Sequence, residues 1–199
     1  MRTVTVTGRG SARVVPDSAV VRVAAVERAA GVAEAFAAVS ASVDRIGDVA
    51  RRHTEPRRIS SQGISVWPWH DHDGTARGFE ARHGLLVGCA DLTAAGALLA
   101  ELSAEVGDAL RLDGVSLEVS DQEAAHGQAR EAAFADARVR AAQLAALSHA
   151  TLGTVQEVVE AGPRAVEAGA AHEVAVASAR LEPGETSIGA GVTVTFELL

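Results

Sequence analysis

The chain has 199 residues, 48% of them hydrophobic, and a formal net charge of −8. That balance argues against general binding to nucleic acid or to an anionic membrane, both of which need a positive surface. Every basic residue is arginine, and tyrosine is absent, which excludes Schiff-base chemistry, a Walker-type phosphate lysine and any tyrosine acid or base.

Cys89 is the single cysteine, so no intrachain disulfide or CxxC chemistry is open to the chain. Met1-Arg2-Thr3 leads straight into alternating residues, without an apolar h-region or a small-residue cleavage site. No run approaches the roughly 18 apolar residues of a membrane span. A cytoplasmic location is expected if Met1 is the natural start; a trimmed N-terminus would allow a periplasmic or exported one. No cofactor motif stands out, and none is expected. Gly8-Arg9-Gly10-Ser11 lacks the third glycine, the lysine and the following helix of a phosphate loop.

Thr3-Val4-Thr5-Val6-Thr7 alternates with period two, the mark of a half-buried strand, which Gly8 and Gly10 then interrupt, as glycines at a bulge or a close backbone approach do. Pro16-Asp17 makes a turn, and Ala19–Ala29 is a second strand. Gly31–Thr54 is predicted helical, with Val32, Phe36, Val39, Val43, Ile46 and Val49 as one apolar stripe, and Pro56 stops it. Ile59–Trp69 and Phe79–Ala90 are predicted antiparallel partners joined at His70-Asp71-His72-Asp73-Gly74, a polar hairpin tip with an Asp-Gly turn signal.

Leu92–Val106 is a shorter predicted helix capped by Asp91, and Leu110–Val119 is a strand. The stretch from Ser120 to Gly153 is then a long alanine-rich helix. Ser120 with Glu123 reads as a capping box, and Gly153 stands where helices often close. Ala129, Ala133, Ala137, Ala141 and Ala145 recur every fourth residue and form one ridge, a packing seam that another element can approach closely. Val155–Glu160 is a short strand. Gly162–Glu185 is a long connection, partly helical around Ala165–Ala171, and Ser187–Leu199 closes the chain as a strand. Its threonine–valine pattern matches that of Thr3–Thr7, so the two chain ends are expected to pair.

The fold class is therefore α+β. Residues 19–119 run strand–helix–strand–strand–helix–strand, the ferredoxin-like βαββαβ order of an antiparallel sheet with two helices on one face. The long helix of 120–153 and the terminal strands are expected to add to that sheet, with 154–199 supplying the closing strands around the 162–185 loop. No linker forces a division, so 1–199 is read as one domain.

With these elements placed, the chain resembles the SIMPL domain family nearly end to end. The resemblance rests on Val6-Thr7-Gly8-Arg9-Gly10 with Pro16-Asp17, on Ile59–Trp69 with Gly78-Phe79-Glu80-Ala81, and on Ala129-Arg130, Ala133, Asp136-Ala137-Arg138, Arg140-Ala141 and Leu144-Ala145. Leu152-Gly153 and Pro183-Gly184-Glu185 complete it. That group of bacterial proteins includes a periplasmic immunogenic protein and oxidative-stress-defence proteins. The resemblance implies a protein without accepted catalytic residues, with large ring-like or channel-like oligomers in some members. The chain departs from the family in two respects. Many relatives carry a signal peptide and this chain shows none, and Trp69 and Phe79 stand where tyrosines are common.

Four local features are candidate sites. His70, Asp71, His72 and Asp73 can be read as metal ligands, since residues two apart on a strand share a face, with His83 as a further donor, or as a solvated turn. Trp67 and Trp69 either cover the core at a sheet end or form a contact surface, and Pro68 between them marks an edge strand. Arg51, Arg52, His53, Arg57 and Arg58 make a basic patch at a helix end, where the helix dipole already favours cations. Cys89 lies on the core-facing side of its strand, where thiols are usually inert. No catalytic constellation emerges. The reading is a non-catalytic, self-associating SIMPL-type protein that acts by binding or scaffolding, linked to stress defence. The alternative is a small-molecule or metal-binding module using the His-Asp hairpin or a sheet cleft. A homo-oligomer is the expected partner state, with no nucleic acid and no membrane span.

Overall fold

The computed structural model describes residues 2–161 and 181–199. The proposed helix at Ala165–Ala171, and most of the 162–185 connection, lie outside the described residues. The elements run β1 (Arg2–Val14), β2 (Ser18–Ala29), α1 (Val32–His53), β3 (Ile59–His70), β4 (Ala76–Cys89) and α2 (Leu92–Val106). They continue as β5 (Leu110–Glu118), α3 (Gln122–Leu147), β6 (Leu152–Ala161) and β7 (Thr186–Leu198). The fold is α+β with two antiparallel sheets. One compact unit holds β2 to β5 with α1 and α2; another holds β1, α3, β6 and β7.

The first unit has the strand order β3-β4-β2-β5, every neighbour antiparallel. This is the ferredoxin-like order expected of βαββαβ. Ala19, Val21, Val23 and Ala25 of β2 join Ala81, Leu85, Val87 and Cys89 of β4 on one face. They bury against Ala35, Val39, Ile46 and Val49 of α1 and Ala95, Leu98 and Leu102 of α2. Asp91 caps α2 by accepting from the Ala94 amide at 2.7 Å, which satisfies an orphan donor of the first turn.

The inner face of α1 differs from the apolar stripe read in the sequence. Val32 and Phe36 are about half exposed, at 49% and 47%, while Ala35, Ser42, Gly47 and Ala50 are buried. Small side chains let the helix sit low on the sheet, and that rotation turns Phe36 outward. Ser42 keeps a partner in the core, because its hydroxyl donates to Glu27 at 2.5 Å.

Ser120 does not cap the long helix. Its amide and hydroxyl both donate to the Asp17 carboxylate, at 2.7 and 2.5 Å, and Asp121 caps α3 through the Ala124 amide instead. The two Ser120 bonds hold the Asp17 carboxyl below its ordinary range. A lowered folded-state value means that the stabilisation is present above the unfolded value and is lost as pH falls through the folded one. The variant Asp17→Asn should therefore show a shallower loss of stability than wild type below about pH 4, measured by denaturant melts across an acid series.

The second unit is built on β1-β7-β6, so the terminal strands do not extend the ferredoxin-like sheet but make their own. β1 and β7 pair in unbroken register from Arg2↔Leu198 to Val14↔Thr186. The strand does not stop at Gly8 and Gly10 but runs through them. Thr5 with Thr195, and Thr7 with Thr193, form cross-strand hydroxyl pairs at 2.9 Å, a recognised sheet-stabilising pair.

α3 lies along β1 and β7. Its alanines at 129, 133, 137, 141 and 145 are at most 1% exposed. The strand supplies Val6, Gly8, Gly10 and Ala12 beneath them. Two strand residues rise about 6.6 Å and four helical residues about 6 Å, so each alanine ridge step matches one inward position of β1. The helix ends at Leu147, with Ser148 as C-cap and His149 at φ 54°, while Gly153 belongs to β6.

Candidate functional site

The His-Asp tip is a turn that uses its own carboxylate. Asp71 Oδ1 accepts from the amides of Asp73 and Thr75 at 3.1 and 2.9 Å, and its Oδ2 accepts from Arg77 Nε at 2.7 Å. The Arg77 guanidinium, with those amides, holds the Asp71 carboxyl below its usual range. Gly74 takes the positive φ of 78° that closes the loop. His72 Nε2 stands 3.3 Å from Asp73 Oδ1, with both side chains well exposed. His83 is engaged elsewhere, 3.0 Å from Ser61 Oγ. Among the described residues no three His, Cys, Asp or Glu are placed to hold a metal ion.

The basic patch is largely paired. Arg52 bridges α1 to α2 through Glu101 and Glu105, Arg51 pairs with Asp48, and Arg57 with Glu55. His53 also meets Glu101. Cys89 is 1% exposed, and burial pushes its thiol up from its ordinary value; a thiol so placed is a poor nucleophile.

Trp67 and Trp69 lie on β3, an outer strand of the four-stranded sheet. They stand opposite Glu80 and Gly78 of β4 and so share the face away from the helices. The Arg28 guanidinium is 4.3 Å from the Trp69 ring centroid and donates to Glu80 at 2.7 Å. Trp69 is thus stacked under a cation, while Trp67 stays 39% exposed. On the helix side of the same strand, Ile64 is 52% exposed. Val32 and Phe36 of α1 are the other exposed large apolar side chains of this unit among the described residues. Sequence reasoning missed Phe36 because it fits the heptad-like spacing of its helix; the signal was the run of small residues one position away.

In the other unit, Asp136 joins α3 to β1. Its Oδ2 accepts from the Arg9 amide at 2.9 Å and from Arg140 Nε at 2.8 Å. The Arg9 amide is the larger cause holding its carboxyl below the ordinary range. The i, i+4 spacing of Asp136 and Arg140 makes that pair readable in the sequence, whereas nothing local marks the strand amide. A groove of about 430 Å³ opens beside this helix, lined by Arg130, Glu131, Phe134, Val158, Glu160 and Val192. Arg130 donates to Glu160 at 2.7 Å and to Glu123 at 2.9 Å, so its charge is already met.

No helix among the described residues is long and apolar enough to cross a membrane. A family model named SIMPL, described as a protein of unknown function (DUF541), matches residues 4–196. No curated protein matches the chain.

Proposed function

The chain belongs to the SIMPL family, and from that premise we propose that it is a non-catalytic protein that self-associates and acts by binding or scaffolding. The observation that carries this reading is the group of exposed apolar side chains on one unit: Val32, Phe36, Ile64 and Trp67, each 39–52% exposed. Scattered exposed apolar residues are ordinary, but large ones on α1 and on both faces of an outer strand fit a partner that wraps that strand's edge. Stress defence is the setting we attach to it, by family resemblance. The inert surroundings of Cys89 make binding, not thiol oxidation, the fitting mode of action.

Changing Trp67 and Trp69 together to serine tests the reading. Light scattering of the folded variant should give a smaller particle than wild type at equal concentration. An unchanged assembly would remove the tryptophans from the interface.

A second reading has one observation in its favour. The groove beside α3 is within the size range of small-molecule sites, with Phe134, Val158 and Val192 as apolar walls. A bound compound must raise the melting temperature by mass action, so a thermal-shift panel separates this reading from the first.

A further inference from the structure

We propose that β3 is the self-association edge, pairing antiparallel with β3 of a second copy so that two four-stranded sheets become one. This rests on the self-association reading above and names its surface. The described residues offer four outer strands: β1, β6, β3 and β5. Three of them carry charges along their length: Arg2, Arg9 and Arg13 on β1, Arg111, Asp113 and Glu118 on β5, Glu157 and Glu160 on β6. Charged side chains of this kind are how sheet edges are kept from pairing. β3 has none from Ile59 to Trp69, in a chain of net charge −8. Its neighbour on one side is β4; among the described residues its other row of backbone donors and acceptors faces no strand.

The register favours a second copy over an unrelated strand. Ile59, Ser61, Ile64 and Val66 stand opposite Val87, Leu85, His83 and Ala81 of β4, and therefore point to the helix side. Ser60 and Ser65 stand opposite Leu86 and Arg82 and point to the other side. The irregularity between Ser61 and Gly63 makes this alternation symmetric about the middle of the strand. With a two-fold axis between Gln62 and Gly63, Ile59 of one copy meets Val66 of the next, Ser61 meets Ile64, and Ser60 meets Ser65. Like face meets like face at every pair, as an isologous contact requires. The apolar members gather on the helix side, where α1 packs and its Phe36 remains half exposed. Two negatively charged chains approach here without a carboxylate on either edge. Pro68, which lacks an N–H, lies beyond the paired stretch and sets its limit.

The test uses charge at the pair that the axis brings together twice. In Ser61→Lys/Ile64→Lys, lysines face lysines across both halves of the contact; Ser61→Glu/Ile64→Glu places glutamates there. Like charges directly opposite weaken a strand pair, and each variant alone should lose self-association by at least about ten-fold. An equimolar mixture should recover it, because each lysine then meets a glutamate. Sedimentation velocity reads all four samples, with far-UV circular dichroism as the check on folding. Wild-type association that persists unchanged in both variants overturns the β3 edge while leaving self-association standing. Two monomeric variants whose mixture stays monomeric overturn the two-fold register. A wild-type chain that is itself monomeric at high concentration overturns both the edge and the reading beneath it.

Discussion

Gly8→Ala should destabilise the β1-α3 unit by about 3 kcal/mol or more, the upper end of what overpacking costs. A Cβ at Gly8 would fall inside van der Waals contact of the Ala133 carbonyl oxygen and the Ala137 amide nitrogen, and would stand 2.8 Å from the Ala137 Cβ. The first two are helix backbone atoms, already committed to the α3 hydrogen-bond ladder, so they cannot turn aside as a side chain would. The helix must lift from the strand, which breaks the Asp136 bond to the Arg9 amide and opens the packing of Val6, Val194 and Phe196. Gly10→Ala should behave alike, because its Cβ would meet Ala129 and Ala133 backbone in the same way. Gly184→Ala, in an exposed loop outside the β3 edge, is the control. Nothing lies within 4 Å of its added methyl, and a change within about 0.5 kcal/mol is expected for such a surface site. Chemical denaturation of the three variants measures the contrast. Equal midpoints for all three would mean that α3 does not rest on β1.

Ala137→Leu probes the same contact from the helix side. The residue is fully buried and its methyl lies over Gly8, so three added carbons have no space. A loss of roughly 1–3 kcal/mol is expected; at about 2–4 °C per kcal/mol for a chain of this size, the melting temperature should fall by several degrees. Ala135→Leu, on the exposed side of the same helix, keeps helix propensity high and adds no buried volume, so its melting temperature should stay near wild type. A variant at Ala137 that melts like wild type would put that ridge in water.

The parts of the fold that were legible in the sequence rested on period and punctuation. Alternation in Ile59–Trp69 and Phe79–Ala90, with Asp-Gly between, gave the β3–β4 hairpin. Pro56 and Asp91 marked helix boundaries, and the threonine–valine ladders at the two chain ends fixed the β1–β7 pair. What stayed hidden depended on residues far apart in the chain. Ser120 reads as a cap because three residues on stands Glu123; only the fold brings Asp17 to its hydroxyl. Gly8 and Gly10 read as an interruption that marks a bulge or a close backbone approach, and the close approach is the one found. Their place is explained by the helix backbone above them, which local sequence does not describe. The terminal strands carried no sign that they would make a sheet of their own, since pattern fixes which face of a strand is buried and not which neighbours it takes.

The candidate sites divide in the same way. The His-Asp tip was visible as a cluster of ligand-type side chains, but Arg77, six residues on, takes one oxygen of Asp71, and the turn's own amides take the other. The half-exposed Phe36 was invisible because its spacing suits the core. The absence of charge from Ile59 to Trp69 was readable from the start, but it acquired meaning only once β3 stood at the edge of its sheet.

Sedimentation equilibrium of the unmodified chain over a wide concentration range tests self-association most directly. The expected mass is a multiple of the 20.4 kDa chain, rising with concentration. A mass of 20.4 kDa at every concentration would contradict it.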